Sequence, residues 1–320
     1  MNSDLRPLSL GELLDQTFTF YREHFLLFVG IMAAPQAVIL AANLLRDVLS
    51  SHALVLPSGL PGHAPPSGAG LGMAWLISTV MVLVVYLVGY EAALGGTTHS
   101  ISQLYLGHPT DIRDSYRSIW GRLWDLTLVL GGVGVRILGL SVPSIIGFII
   151  MMVSVRSHDI AGILAGLLLL LLGLPLVYIL SLRYGVAVPA FVIERVSPSA
   201  SIDRSTLLTQ GYLGRLIVIT ILIALVSFVA AVVFEFPVTI LAAIFALKAG
   251  HNLVWLVIPM QIAGSVSQVL TSPLLVIALA LAYYDMRIRK EGLDLELMMS
   301  SLDDPNSLPS TSAAAWPSTS

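Results

Sequence analysis

The sequence predicts an all-α, polytopic integral membrane protein with six transmembrane helices arranged as three helical hairpins. Hydrophobic residues make up 56% and charged residues 11% of its 320 positions, and the mean hydropathy is +0.89. Soluble proteins carry about 25% charged residues, which they need to cover a core with polar surface. Six long apolar stretches and a one-sided distribution of arginines complete the prediction.

Six stretches are long enough to cross the membrane, because a helix needs about 20 apolar residues to cross a hydrocarbon core of ~30 Å. They are residues 25–45, 72–98, 124–155, 160–190, 215–247 and 253–284. Several exceed the required length, and tilt is expected to absorb part of the excess. Prolines inside the stretches predict breaks into a span and an interfacial piece, at Pro143, Pro175, Pro237, Pro259 and Pro273.

Two connections and the C-terminal tail stand out by composition. Residues 57–72 hold four prolines and five glycines, which is typical of a flexible, exposed loop. Residues 156–159 make a much shorter turn between the third and fourth spans. Residues 300–320 are rich in serine and lack basic residues, so they are predicted to be a disordered cytoplasmic tail behind a membrane domain over 1–299.

The basic residues favour one side of the membrane. Twelve of them fall on the side that holds both termini and the connections after the second and fourth spans, against Arg46, Arg156 and Lys248 on the other. The excess of arginine and lysine in cytoplasmic loops then places both termini in the cytoplasm. The twelve residues are Arg6, Arg22, Arg113, Arg117, Arg122, Arg183, Arg195, Arg204, Arg215, Arg287, Arg289 and Lys290.

Similar polar segments precede the first, third and fifth spans, over residues 8–24, 109–123 and 197–214. Ser9 and Glu12 fit a capping box, and apolar residues from Leu10 to Phe25 recur every three or four positions. These features predict an amphipathic helix in the cytoplasmic interface before each hairpin of a threefold repeat. The alternative is that the segments are solvated caps on the helix bundle.

Both ends of the membrane domain resemble a known family. The resemblance rests on two segments, RPLSLGELLD at residues 6–15 and YYDMRIRKEG at residues 283–292. They are similar to bacterial six-span proteins labelled glycerophosphoryl diester phosphodiesterase membrane domain, a group without an established function. The resemblance implies this fold over residues 5–299, in the bacterial cytoplasmic membrane. It implies association with a phosphodiesterase and not its activity, because the His-Arg pair that begins that family's catalytic domain does not occur here.

Three charged residues lie at matching places near the cytoplasmic ends of the even spans: Glu91, Arg183 and Asp285, each beside a tyrosine. If the hairpins pack with threefold symmetry, the arginine lies between the two carboxylates. Charged groups are costly inside a membrane and are often functional there, so this is a candidate site for a lipid headgroup or a proton. The alternative is an ion-pair cluster that holds the repeats in register.

Arg136 and Glu235 are candidate intramembrane charges of the third and fifth spans. Counted from Arg122 and Arg215, they lie about 21 and 30 Å along their helices, which argues against a strict pair. Arg136 is either buried and paired, as a transport residue would be, or extended toward the interface.

Glycines in the fourth span match a packing motif. Gly162 and Gly166 have the spacing of small residues that let two membrane helices approach closely. We expect them to serve helix packing, with dimerisation as the alternative.

No motif predicts catalysis. The seven histidines are scattered without metal-ligand spacing, the chain has no cysteine, and neither a nucleophile elbow nor a phosphate loop occurs. We therefore expect no catalytic residue, no metal and no cofactor. A net charge of −3 also gives no reason to expect a nucleic-acid partner.

Three functions remain open after these exclusions. The first is a non-enzymatic accessory, scaffold or lipid-associated protein of the bacterial envelope, with anionic headgroups as partners and a protein partner left open. The second is a transporter or lipid-moving permease, for which internal repeats, broken spans and buried charge speak. The third is a membrane-bound lipid enzyme, which lacks a catalytic constellation.

Overall fold

The structure is a computed structural model, and it describes residues 7–55, 68–249 and 254–292. Within these ranges every regular element is helical. The helices are α1 (Leu10–Glu23), α2 (Phe25–Val55), α3 (Gly68–Tyr105), α4 (Ile112–Trp120), α5 (Leu123–Ser157), α6 (Ile160–Ser181), α7 (Ala187–Glu194), α8 (Pro198–Thr209), α9 (Leu213–Phe234), α10 (Phe236–Ala249) and α11 (Val254–Glu291). The predicted tail, 300–320, and residues 57–67 of the predicted loop lie outside these ranges, whereas residues 68–72 are helical rather than loop.

Six segments of the described chain are long and apolar enough to cross a membrane, which confirms the predicted number of spans. They are Phe25–Asp47, Leu76–Tyr105, Leu123–Ser157, Ile160–Glu194, Leu213–Phe245 and Val257–Glu291. The chain is therefore a multi-pass, all-α integral membrane protein. Its orientation and its threefold repeat stay predictions.

Proline breaks only one of these segments. Four of the five predicted breaks are wrong, because the prolines lie inside continuous helices: Pro143, Pro175, Pro259 and Pro273. Membrane helices tolerate proline where neighbouring groups satisfy the freed backbone carbonyl. At Pro237 the chain does break, between α9 and α10, and this proline lies in the first turn of α10, where a missing N–H costs little.

The fourth span instead breaks after Ser181. A 3₁₀ turn at Leu182–Tyr184 leads into α7, whose residues from Ala187 to Val192 are all buried. Helix α7 packs against α3, α5, α8 and α11. The fourth span thus ends in a short helix enclosed by the rest of the protein.

Helix α11 is the central element of the fold. It packs against α1, α2, α3, α7, α8, α9 and α10. In its most apolar stretch 61% of the residues are buried, against 11–22% in the other five spans. With 38 residues it is about 57 Å long, so it extends well beyond a hydrocarbon core of ~30 Å.

One end of the bundle is a packed polar layer. Helices α1, α4, α7 and α8 gather there around the C-terminal ends of α3 and α11. We call this layer the arginine-rich end. Its apolar interior includes some of the most completely buried side chains of the described chain: Leu13, Phe28, Ile101, Phe191, Leu208 and Tyr283.

A short helix precedes each odd span, and each one buries a single face. The predicted capping box of α1 is confirmed: Ser9 Oγ accepts from the Glu12 N–H at 3.2 Å, and the Glu12 carboxylate accepts from the Ser9 N–H at 2.7 Å. The buried residues are Leu13, Thr17 and Phe20 in α1, Ser115 and Ile119 in α4, and Ser201, Ile202, Ser205, Leu208 and Thr209 in α8. Their placement in a lipid interface stays a prediction.

Helices α5 and α6 form a close hairpin through small residues. At the turn, His158 adopts a left-handed backbone with φ of 57°, and the Asp159 carboxylate accepts from the Ala161 N–H at 3.1 Å. A Cβ on Gly166 would lie only 2.6 Å from the Gly147 carbonyl oxygen. The packing prediction for this glycine is therefore confirmed, and the contact lies within the chain.

Candidate functional site

Asp285 is the most completely buried carboxylate of the arginine-rich end. Its side chain is 1% exposed and accepts from the Leu8 N–H at 2.8 Å. Arg289 Nε lies 3.0 Å and Arg215 Nη1 3.3 Å from its Oδ2. Both arginines also donate to the Leu8 carbonyl, at 2.5 and 2.7 Å. The carboxylate thereby connects α11, α9 and the segment that leads into α1.

Glu91 is also buried, but it belongs to another interface. Its carboxylate accepts from Thr127 Oγ1 at 2.6 Å and so connects α3 to α5. Within residues 7–55, 68–249 and 254–292, no arginine or lysine lies within ion-pair distance of Glu91. A hydroxyl therefore supplies the hydrogen bond that a buried carboxylate requires.

Arg183 does not join the two carboxylates. Its carbonyl accepts from Ser205 Oγ at 2.8 Å and Thr209 Oγ1 at 3.3 Å, which holds α8 against the 3₁₀ turn. In the described part of the chain no ion pair links its guanidinium to Glu91 or Asp285. The predicted arrangement of an arginine between two carboxylates is therefore wrong. Arg183 lies in the 3₁₀ turn that follows Ser181, and Asp285 pairs instead with guanidinium groups on α9 and α11.

Arg136 lies on the surface of α5. It is exposed, and its Nη1 donates to the Gly132 carbonyl of its own helix at 3.0 Å. A Cβ on Gly132 would lie 2.9 Å from Ile202 of α8, so the arginine-rich end reaches along α5 to within one turn of Arg136. The extended alternative agrees with the structure, and the buried, paired alternative does not.

Glu235 caps the C-terminal end of α9 and is half-buried. Its carboxyl carbon lies 4.0 Å from the position that a Cβ on Gly264 would take, so it faces α11. Among the described residues no ion pair joins it to Arg136. This agrees with the depth argument against a strict pair.

A second ionic network was missed at the sequence level. Arg204 Nε lies 3.0 Å from Glu194 Oε2, and Arg204 Nη1 lies 2.6 Å from Glu291 Oε1. Arg287 Nε lies 3.0 Å from Glu291 Oε2 and 3.6 Å from Glu194 Oε1. Tyr283 donates its hydroxyl to Glu194. Only the spacing of Arg287 and Glu291, four residues apart on α11, signals this network in the sequence.

The negative charges of two carboxylates and the positive charges of two guanidinium groups cancel in this network. Burial alone lowers the pKa of Arg204, but the hydrogen bonds and charges of Glu194 and Glu291 outweigh it and raise that pKa. Arg204 therefore stays charged, and the network holds α8 against the C-terminal ends of α7 and α11.

A polar seam runs between α2 and α11 inside the spans. Gln261 donates to Asp47 Oδ2 at 2.5 Å, and Gln36 donates to Ser265 Oγ at 3.3 Å. Gln268 and Ser272 continue the seam and, with Gln36, line a small cavity of about 20 Å³. We call these residues the polar seam: Gln36, Asp47, Gln261, Ser265, Gln268 and Ser272. A space of this size has room for about one water molecule.

The seam was also missed at the sequence level. Positions 261, 265, 268 and 272 are separated by four, three and four residues, which places them on one face of a helix. This periodicity is readable in the sequence, although none of the four residues is ionisable. Polar side chains in membrane helices commonly hydrogen-bond across a helix interface.

The outward face of α4 combines basic and aromatic side chains. Arg113, Arg117 and Trp120 are exposed and lie four and three residues apart, on one side of the helix. Trp120 is 72% and Trp124 of α5 is 73% exposed. We call these four residues the basic–aromatic face.

The inward side of α4 is anchored to the bundle. Tyr116 donates its hydroxyl to the Ile31 carbonyl of α2, and Ser115 Oγ lies 2.5 Å from Ser100 Oγ of α3. Burial raises the pKa of Tyr116 to about 12, so its hydroxyl keeps its proton near neutral pH. The basic–aromatic face is therefore presented by a helix held in a fixed orientation.

No family model, curated protein or solved structure matches this chain. Fold and polar contacts place it in the class of six-span α-helical membrane proteins with a packed, arginine-rich layer at one end. The resemblance to the phosphodiesterase membrane-domain family stays a prediction.

Proposed function

We propose that the chain is a non-enzymatic accessory or scaffold protein of the bacterial cytoplasmic membrane, which binds anionic lipid headgroups at its arginine-rich end. The basic–aromatic face of α4 carries this proposal. Tryptophan is enriched at membrane–water interfaces, and each arginine near an anionic surface contributes about 1 kcal/mol of attraction. Both termini lie in the cytoplasm in this proposal, where the arginines meet the anionic inner leaflet.

Phosphatidylglycerol is expected to raise the unfolding temperature of the detergent-solubilised protein more than phosphatidylcholine does. The double variant Arg113→Gln/Arg117→Gln should require roughly 30-fold more phosphatidylglycerol for the same effect, because it loses about 1 kcal/mol per arginine. Unfolding temperature against lipid concentration is the measurement.

Arg156→Gln is the matched control, since Arg156 is an exposed arginine at the opposite end of α5. It should leave the lipid concentration for half-maximal stabilisation unchanged. Equal stabilisation by the two lipids, or an unaltered double variant, contradicts the proposal.

The polar seam favours a second candidate, a permease. Its hydrogen-bonding side chains line the interface of two spans, where polar groups are costly unless they serve a path or a helix contact.

If the chain is a permease of this kind, the protein in vesicles conducts protons under an imposed potential, and a trapped pH-sensitive dye detects the flux. Gln268→Leu should abolish the flux, whereas Thr239→Val, on the exposed side of α10, should not. No flux above that of empty vesicles excludes proton conduction.

A further inference from the structure

A cavity of about 280 Å³ lies within the arginine-rich end. It is formed where the C-terminal ends of α3, α7 and α11 meet, so each of the three even spans contributes to it. Its polar lining is rich in hydrogen-bond donors and consists of His99, Ser102, Gln103, Arg195, Tyr284 and Arg287. None of the described residues that line the cavity is acidic.

Arg195 supplies the uncompensated charge. It ends α7 in a left-handed backbone with φ of 54°, a conformation that residues other than glycine rarely adopt and that costs free energy. Within the described ranges no carboxylate lies within ion-pair distance of its guanidinium. Arg195 is an exposed arginine beside a cavity and has no carboxylate partner among the described residues, so its guanidinium is available to an anionic ligand.

The second arginine is partly engaged. Arg287 directs its Nε to Glu291 and Glu194, within the balanced network described above. Among the described residues only its Nε donates a hydrogen bond, at 3.0 Å to Glu291, and its two terminal nitrogens donate none. The guanidinium fork therefore retains donors for the cavity while its position is fixed from behind.

Neutral donors complete the lining. Tyr284 donates its hydroxyl to Ser102 Oγ at 3.0 Å, so the Ser102 hydroxyl keeps its own proton for another acceptor. The side chains of His99 and Gln103 make no hydrogen bond within the described part of the chain. An acceptor-rich anion satisfies this set of donors, whereas a cation does not.

We propose that this cavity binds a phosphate group, either free phosphate or the terminal phosphate of a lipid headgroup. Arginine matches phosphate oxygens with paired N–H donors, and a phosphate monoester carries about −1.5 to −2 charges at neutral pH. The volume suits a small headgroup rather than a larger ligand. This inference does not depend on the basic–aromatic face of α4. Soluble phosphate carries the same phosphate group as a lipid headgroup, and it can be tested without a membrane surface.

Calorimetric titration of the full-length protein in a neutral detergent at constant ionic strength tests the proposal. The two probes are inorganic phosphate and dihexanoyl phosphatidic acid. Arg195→Gly removes the charge and accepts the left-handed backbone, so it should raise Kd at least tenfold. Gln103→Leu, a neutral change on a different helix, should raise Kd severalfold and keeps the test valid if the first variant fails to fold.

Arg156→Gln is the control, because Arg156 is an exposed arginine outside the cavity and outside the basic–aromatic face. Both probes should bind this control with a Kd within twofold of that for wild type. If inorganic phosphate and dihexanoyl phosphatidic acid displace each other, the cavity binds the phosphate group from either source. Binding of one probe alone assigns it to the lipid or to the soluble form. No binding of either probe, or equal weakening by Arg195→Gly and Arg156→Gln, overturns the proposal.

Discussion

Asp285→Ala is expected to lower the free energy of unfolding by about 3–5 kcal/mol, as is typical when one partner of a buried ion pair is removed. Arg215 and Arg289 then face each other without the carboxylate that lies 3.3 and 3.0 Å from them. The Leu8 N–H also loses its acceptor. The measurement is reversible unfolding of the purified protein in detergent, followed by circular dichroism.

Asp203→Ala provides the control, because Asp203 is an exposed aspartate of α8 in the same layer. It should change stability by less than about 0.5 kcal/mol, as exposed substitutions usually do. The double variant Asp285→Ala/Arg215→Gln should recover part of the loss, since it removes one of the two unpaired charges. If Asp285→Ala and Asp203→Ala have equal effects, the ion pairs do not stabilise the layer.

Gly166→Ala is expected to destabilise the protein by about 1–3 kcal/mol, the usual cost of forcing an extra carbon into a packed contact. Its Cβ would lie 2.6 Å from the Gly147 carbonyl oxygen and 2.7 Å from the Met151 nitrogen. Both are backbone atoms, so the contact is relieved only if α5 and α6 move apart. The consequence should appear as a lower unfolding temperature and as faster proteolysis near the turn at His158.

Gly139→Ala is the matched comparison for this variant. Gly139 lies on α5, and no heavy atom outside its own helix lies within 4 Å of a Cβ built there. Any gain from the higher helix propensity of alanine, up to about 1 kcal/mol, applies to both variants. An equal response of the two variants refutes close packing at Gly166.

The spans and short helices were predictable because their signals are local. Each signal lies within one continuous stretch of chain. The stretch is about twenty apolar residues for a span, and only a few residues for the Ser9–Glu12 capping box and the turn at His158. Proline was misjudged at four sites because its cost depends on neighbouring helices, which the sequence does not display.

Partners across long sequence separations were not predictable. Asp285 meets Leu8, 277 residues away, and Glu91 meets Thr127, 36 residues away. Threefold symmetry of the hairpins predicted one cluster of Glu91, Arg183 and Asp285. In the structure Arg183 lies in the 3₁₀ turn after Ser181 and pairs with neither carboxylate. The polar seam was readable from its spacing on α11, whereas its pairing with α2 required the fold.

The contact between Leu8 and Asp285 also constrains the order of assembly. The ribosome delivers α1 before α11, yet α1 is anchored to α11 through this contact and through Tyr21, whose hydroxyl donates to the Leu270 carbonyl at 2.7 Å. Helix α1 therefore completes its packing only after α11 has been synthesised. A chain arrested before α11 lacks both of these contacts, so α1 stays incompletely packed.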